Sequence, residues 1–154
     1  MWRGGQSAAT FVATLRRVGE VNLSGAGSRL TIVMRGKIDQ RLGTELRRSF
    51  ETWIEQRGAP TEVLVDLREV DDYDILGRAE LVTLHGKLAK VGRRCAYVAE
   101  HARIRGLALL TIGEIGDRGS RAVATLEQGD AWLRARDQVT EASIEQRGDP
   151  RRRG

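Results

Sequence analysis

The chain has 154 residues, with 26 Lys and Arg against 21 Asp and Glu and a net charge of +5. That length suits one domain with a real core, and 40% hydrophobic with 31% charged residues is the balance of a globular chain, not a disordered one. The single Cys95 excludes an intrachain disulfide and a cysteine-clustered zinc site, two isolated histidines give no His-rich metal site, and no apolar run approaches the roughly 18 residues of a membrane span.

In chain order, residues 1–20 read as an N-terminal extension. Ser7 would cap a short helix over 8–17, with Phe11, Leu15 and Val18 on one side. The stretch lacks the roughly 7–15 apolar residues of a secretory signal, so a cytoplasmic location is expected. Residues 21–24 and 29–35 read as two strands joined by Gly25-Ala26-Gly27, whose glycines suit a tight turn. Asp39 is placed to cap a helix running to about Gln56, with Leu42, Leu46, Phe50, Trp53 and Ile54 on one face; Gly58 and Pro60 end it.

Residues 61–67 are the clearest strand, apolar enough to be covered on both faces. A loop with Asp71, Asp72 and Asp74 is expected after it, then a helix over 76–91 that Gly92 closes. A strand over 95–99, a helix over 102–112, a loose connection through Gly113, Gly116 and Gly119, a strand over 121–126 and a helix over 130–138 complete the domain. From residue 139 the chain becomes polar and basic, and residues 139–154 read as a disordered tail. The order β-β-α-β-α-β-α-β-α predicts an α/β domain over 21–138: a mostly parallel sheet of four to five strands with about four helices packed on it.

Few residues suggest chemistry. Asp66, Asp71, Asp72 and Asp74 gather at the carboxyl end of the central strand, where open α/β sheets bind ligands. Such a cluster could hold Mg²⁺, as in a response-regulator receiver, but that fold also needs an acidic pair after the first strand and a late Lys. Ser24-Gly25 stands at the first place and no Lys follows Lys90, so a solvated acidic loop with Asp74 capping the next helix is preferred and no metal is expected. His85 and His101 have no Ser or Cys nucleophile in a recognisable setting, and Cys95 reads as a buried apolar residue. No acid, base and nucleophile assemble, so no catalytic residue and no cofactor are expected. The glycines at 113–119 follow a helix, whereas a phosphate loop follows a strand. Arg151, Arg152 and Arg153 supply three charges at one end, too few for specific nucleic-acid binding.

Two short strings, set in this element order, resemble a known family. Gly36-Lys37-Ile38-Asp39 matches the "GxLD" that follows the second strand of STAS domains. Val65-Asp66-Leu67-Arg68-Glu69-Val70 matches the start of their "(V/L)xLDLxxVxxxDSSGL", and Asp74-Ile75-Leu76-Gly77 sits where that string has Asp-Ser-Ser-Gly. The resemblance covers residues 21–135 and extends to the anti-sigma factor antagonists and to divergent SEC14-related bacterial STAS proteins.

What the resemblance implies is a regulatory module that binds a protein partner, such as a serine kinase of the anti-sigma type, through Asp39, Asp71, Asp72, Asp74, Ile75, Leu76, Gly77 and Arg78. In the antagonists the Ser before the Gly is phosphorylated, which adds roughly −1.5 to −2 charges and breaks the interface. Here Leu76 holds that position and Ile75 the one before it; neither has a hydroxyl. The next hydroxyl, Thr83, lies about two turns into the helix. If Ile75 and Leu76 are exposed they favour an apolar contact with a partner; if buried they staple the helix start. The alternative is a small-molecule or lipid-binding STAS/SEC14-like module with an apolar pocket between sheet and helices.

Overall fold

The structure, a computed structural model, describes residues 18–90 and 94–135. Its strands β1 (Glu20–Ala26), β2 (Arg29–Ile38), β3 (Glu62–Tyr73), β4 (Arg94–Val98) and β5 (Arg121–Val123) form one sheet in the order β1-β2-β3-β4-β5. β1 and β2 make an antiparallel hairpin, and every later pairing is parallel. Helices α1 (Gln40–Arg57), α2 (Ile75–Lys90) and α3 (Ala102–Ile115) link successive parallel strands, and a last helix, α4, is described over residues 126–135. Each crossover steps to the next strand in the same direction, so a constant right-handed turn lays α1, α2 and α3 on one face of the sheet.

The period-two pattern of the strands builds two cores. Leu30, Ile32 and Met34 of β2, Val63, Val65 and Leu67 of β3, and Cys95 and Tyr97 of β4 bury against Leu42, Leu46 and Phe50 of α1, Leu81, Leu84 and Leu88 of α2, and Ile104 and Leu107 of α3. On the opposite face Leu64, Ala96 and Val98 bury against Leu133 of α4, with Leu126 and Trp132 beside it. The unbroken apolar run of β3 is thus explained, because both of its faces are covered.

Four expectations are corrected. Of the hairpin glycines only Gly27 takes a positive φ, at 62°. Gly25 lies inside β1, where an added Cβ would stand 2.4 Å from the Trp53 ring of α1. Asp71 and Asp72 are not in a loop: β3 continues to Tyr73 because β2 continues to Ile38, pairing Lys37 with Asp72 and Ile38 with Tyr73 after two register shifts. Ladder pairing there overrides the weak strand preference of Asp. Gly113 is helical, and α3 ends at Gly116, whose φ of 72° lets its N–H reach the carbonyl of Ile112. Finally, β5 stops at Val123 and α4 starts at 126, not 130. Thr125 Oγ1 accepts from the Gln128 N–H at 3.2 Å while Gln128 Oε1 accepts from the Thr125 N–H at 3.3 Å, the reciprocal pattern of a capping box. The expected helix at 8–17, the stop at Gly92 and the tail from 139 lie outside the described residues, among which no helix is long and apolar enough to cross a membrane.

Candidate functional site

α1 and α2 begin at the same sheet edge, beyond the carboxyl ends of β2 and β3. Each start is capped by an aspartate. Asp39 Oδ1 accepts from the Leu42 N–H at 2.9 Å, and Asp74 Oδ1 accepts from the Gly77 N–H at 2.8 Å. The Asp74 N–H donates to the Ile38 carbonyl at 3.1 Å. Gly77 then presses against the same junction: an added Cβ would lie 2.0 Å from Ile38 O and 2.9 Å from Asp39 Cα. Only glycine permits that approach.

α3 holds the turn from the other side. Arg103 donates to Asp72 Oδ1 at 2.9 Å and lies 4.8 Å from the centre of the Tyr73 ring. Arg78 donates to Glu114 Oε2 at 2.9 Å. The Arg103 hydrogen bond, then the Tyr73 N–H, keeps the Asp72 carboxyl below the usual carboxylate range. Lys37 Nζ stands 3.9 Å from Asp74 Oδ2, and Asp71 is exposed. Out of this anchored base project two apolar side chains, Ile75 at 83% and Leu76 at 55% exposure. The site is a rigid turn with charges paired around it and an apolar tip.

The structure therefore brings together the eight residues singled out from the sequence, in three roles. Asp39, Asp74 and Gly77 build the turn, Asp72 and Arg78 tie it to α3, and Ile75, Leu76 and Asp71 face outward. Asp66 stands apart. It is buried and forms a two-pronged bond with Arg68, at 3.0 and 2.9 Å. Burial pushes its carboxyl up, but the Arg68 hydrogen bonds and the charges of Arg68 and Arg35 outweigh this and leave it below its usual value. No group of three or more His, Cys, Asp or Glu among the described residues is placed to hold a metal ion. Arg103 and Glu114 were invisible in the sequence, since their role depends on α3 lying beside α2.

The remaining candidates sit in the interior or at unrelated edges. His85 is fully buried, with Nδ1 2.8 Å from the Tyr97 hydroxyl and Nε2 3.0 Å from Asp117 Oδ2. Burial lowers its pKa and the Asp117 charge opposes this only in part. Cys95 is buried, and burial raises its thiol pKa far out of the reactive range. His101 precedes α3 and makes no capping bond through its side chain.

No family model and no curated protein matches the chain. Solved structures do. The unphosphorylated anti-sigma factor antagonist SpoIIAA superposes with a TM-score of 0.56 at 17% identity, over 76% of this chain and 98% of its own. An anti-sigma factor antagonist from Mycobacterium paratuberculosis gives 0.60 at 18% identity, over 76% and 95% of the two chains. The chain has a STAS fold. A Ser-to-Glu variant of RsbS from Moorella thermoacetica superposes as well, with a TM-score of 0.60 at 14% identity over 77% of this chain and 98% of its own. The α/β architecture expected from the element order is that of these three structures.

Proposed function

We propose that this STAS domain is a non-catalytic, cytoplasmic regulatory module that binds a protein partner at the start of α2 and does so without a phosphorylation switch there. The observation that carries the reading is the exposure of Ile75 and Leu76 on a turn fixed from two sides. A preorganised apolar tip loses little freedom on binding, so most of its contact energy is available to hold a partner. Arg78, Asp71 and Asp72 would form the polar rim, with Asp39 behind them. SpoIIAA occurs in unphosphorylated and phosphorylated forms, and the RsbS structure carries Glu in place of a Ser. The chain offers no hydroxyl at 75 or 76, and the Thr83 hydroxyl donates to the Ala79 carbonyl within α2, 3.0 Å away. The partner of this reading is a serine kinase of the anti-sigma type or another signalling protein.

The test is Leu76→Glu, which sets a fixed negative charge at the position the resemblance assigns to phosphoserine. Partner captured from a lysate of the source cells on the wild-type chain is titrated against both forms. Affinity should fall at least about tenfold, or about 1.4 kcal/mol. The exposed site leaves stability within about 0.5 kcal/mol, checked by a thermal melt. Equal affinity for the two forms would remove the turn from the interface.

A second reading rests on an apolar groove of about 410 Å³ lined by Phe50, Ile54, Ala59, Pro60 and Leu88. It lies between the far ends of α1 and α2, not between sheet and helices, and would take a small apolar ligand or a lipid chain. Native mass spectrometry of the purified chain checks it: a bound ligand lost on Leu88→Asp would favour this groove.

A further inference from the structure

We propose that the outer edge of β5 is a separate docking surface, which takes an extended, acidic peptide segment of a partner as an added strand of the sheet. It does not depend on the turn at the start of α2.

The sheet ends at β5, and the strand keeps backbone groups to offer there. The Val123 carbonyl accepts from the Ala99 N–H at 3.0 Å, so Val123 turns toward the β4 side. Backbone groups of successive strand residues point to opposite sides. Ala122, between Arg121 and Val123, therefore presents its N–H and its C=O outward along the free edge. Just past β5 the Ala124 N–H is already taken, by Gln128 Oε1 at 3.0 Å. A donor and an acceptor side by side on Ala122 suit a peptide backbone, whereas a free anion would use the donor alone.

This edge is the floor of a groove of about 590 Å³. Arg105 of α3 walls it on one face of the sheet, and Gln128, Ala131 and Trp132 of α4 wall it on the other. A strand added beside β5 would lie about 4.8 Å from it, between these walls. The opposite edge of the sheet has no such shape. β1 meets Trp53 of α1 through Gly25 on one face, while Asn22 and Ser24 on the other are exposed.

Charge selects the occupant. Arg29, Arg35, Arg68, Arg78 and Arg103 each pair with a carboxylate. Arg105 and Arg121 both line the groove, and neither pairs with a carboxylate among the described residues. No described Asp or Glu lines the groove. Both guanidiniums are held in place. Arg105 donates to the Ala99 and Glu100 carbonyls at 3.2 and 3.3 Å, and Arg121 lies 4.9 Å from the centre of a Trp132 ring. Two held cations without a counter-charge favour an acidic segment and repel a basic one. They also set two copies of this edge against each other, so a second copy of the chain is the wrong occupant. Ala131 and Trp132 give the apolar side chains of such a segment a surface on the α4 side.

The probe is a phage library of short random peptides, panned on the full chain; the winners are synthesised and titrated. The expected winners are an acidic, strand-forming family whose affinity falls at least about tenfold in Arg121→Glu and in Ala122→Pro. Proline removes an N–H that points away from β4, so the melting temperature of Ala122→Pro should stay near that of wild type. Amide exchange on the wild-type chain gives a reading that needs no variant: bound peptide should slow exchange at Ala122 several-fold and leave Gly77, at the start of α2, unchanged. An unprotected Ala122 overturns the proposal. So does a selection without an acidic family, or one whose peptides bind Arg121→Glu or Ala122→Pro as tightly as wild type. The outcome is separable from the reading of the turn, since these peptides should bind Leu76→Glu as tightly as wild type. Affinity lost in Leu76→Glu and kept in Arg121→Glu would place the peptides on the turn and remove the β5 site.

Discussion

Two helices start at one sheet edge and dress that edge differently. α1 is capped by Asp39 and sends Gln40 into water, while Arg41 reaches back to the Gly19 carbonyl and to Glu45. α2 is capped by Asp74 in the same geometry and sends Ile75 and Leu76 into water. Capping and packing are satisfied equally in the two, so neither requires apolar residues at the second start. Burying a side chain of this size is worth about 1.5–3 kcal/mol, and α2 leaves most of that unrealised at Ile75 and a part of it at Leu76. The difference teaches that the fold leaves the first turn of a helix free to be polar or apolar, and the apolar pair at the start of α2 is what the proposed interface would use.

The largest effect is expected where the two starts touch. Gly77→Ala drives a Cβ to 2.0 Å from the Ile38 carbonyl oxygen and 2.5 Å from its carbon, and both are backbone atoms that cannot rotate away. Relief requires lifting α2 from the β2–α1 junction, which should cost about 3 kcal/mol in urea denaturation. Gln40→Ala, in the first turn of α1, should stay within about 0.5 kcal/mol. If Gly77→Ala cost as little, α2 would not be clamped, and the rigidity assigned to the turn would be lost.

A smaller, paired effect tests the similarity. Asp39→Ala and Asp74→Ala each remove one cap bond and should each cost about 1 kcal/mol. Replacing Ile75 and Leu76 together by Gln should change the stability of the domain by about 0.5 kcal/mol or less, since both are exposed. A cost of several kcal/mol for the Gln pair would mean that these side chains are already buried in the free protein.

Much of this was legible in the residues. Strands and helices in their order follow from Leu30–Met34, from the Leu42–Phe50 face and from the apolar run at 63–67, because burial imposes periods of two and 3.6 directly on the side chains. The Asp caps were legible for the same local reason. What stayed hidden depends on pairing across distance. Asp71 and Asp72 became strand because β2 outlasted its apolar stretch, a fact held in Gly36–Ile38 and not in the aspartates themselves. Arg103 and Glu114 reached the turn through the placing of α3. The start of α4 was a different case: Thr125 and Gln128 carry a local capping-box signal, and the β-branched Val123 and Thr125 side chains, which also suit a strand, masked it.

The smallest effect concerns what holds α2 once its start is spent on the surface. Its grip comes from the middle: Leu81, Leu84 and Leu88, with His85 reaching Tyr97 of β4 and Asp117 of the loop before β5. Neutral His85 accepts from the Tyr97 hydroxyl at Nδ1. Protonation would turn that nitrogen into a donor and set a cation in a fully buried position, compensated only by Asp117. The folded-state pKa is accordingly lowered from 6.5, first by burial and against the pull of Asp117. As pH falls below 6.5 the unfolded chain takes up the proton before the folded one does, so stability is full above 6.5 and declines steadily toward the lowered folded value. Asp117 adds to the same direction further down. Burial raises its carboxyl, but the Ser120 hydroxyl, the Gly119 N–H and His85 outweigh this, so its contribution is present above its ordinary 3.8 and lost below it. Denaturation midpoints between pH 7.5 and 5 should therefore decline gently in the wild-type chain. The decline should flatten in His85→Phe, which removes the proton site while keeping a ring in the core, whatever its overall stability. An equal slope in the two proteins would remove His85 from the hold on α2.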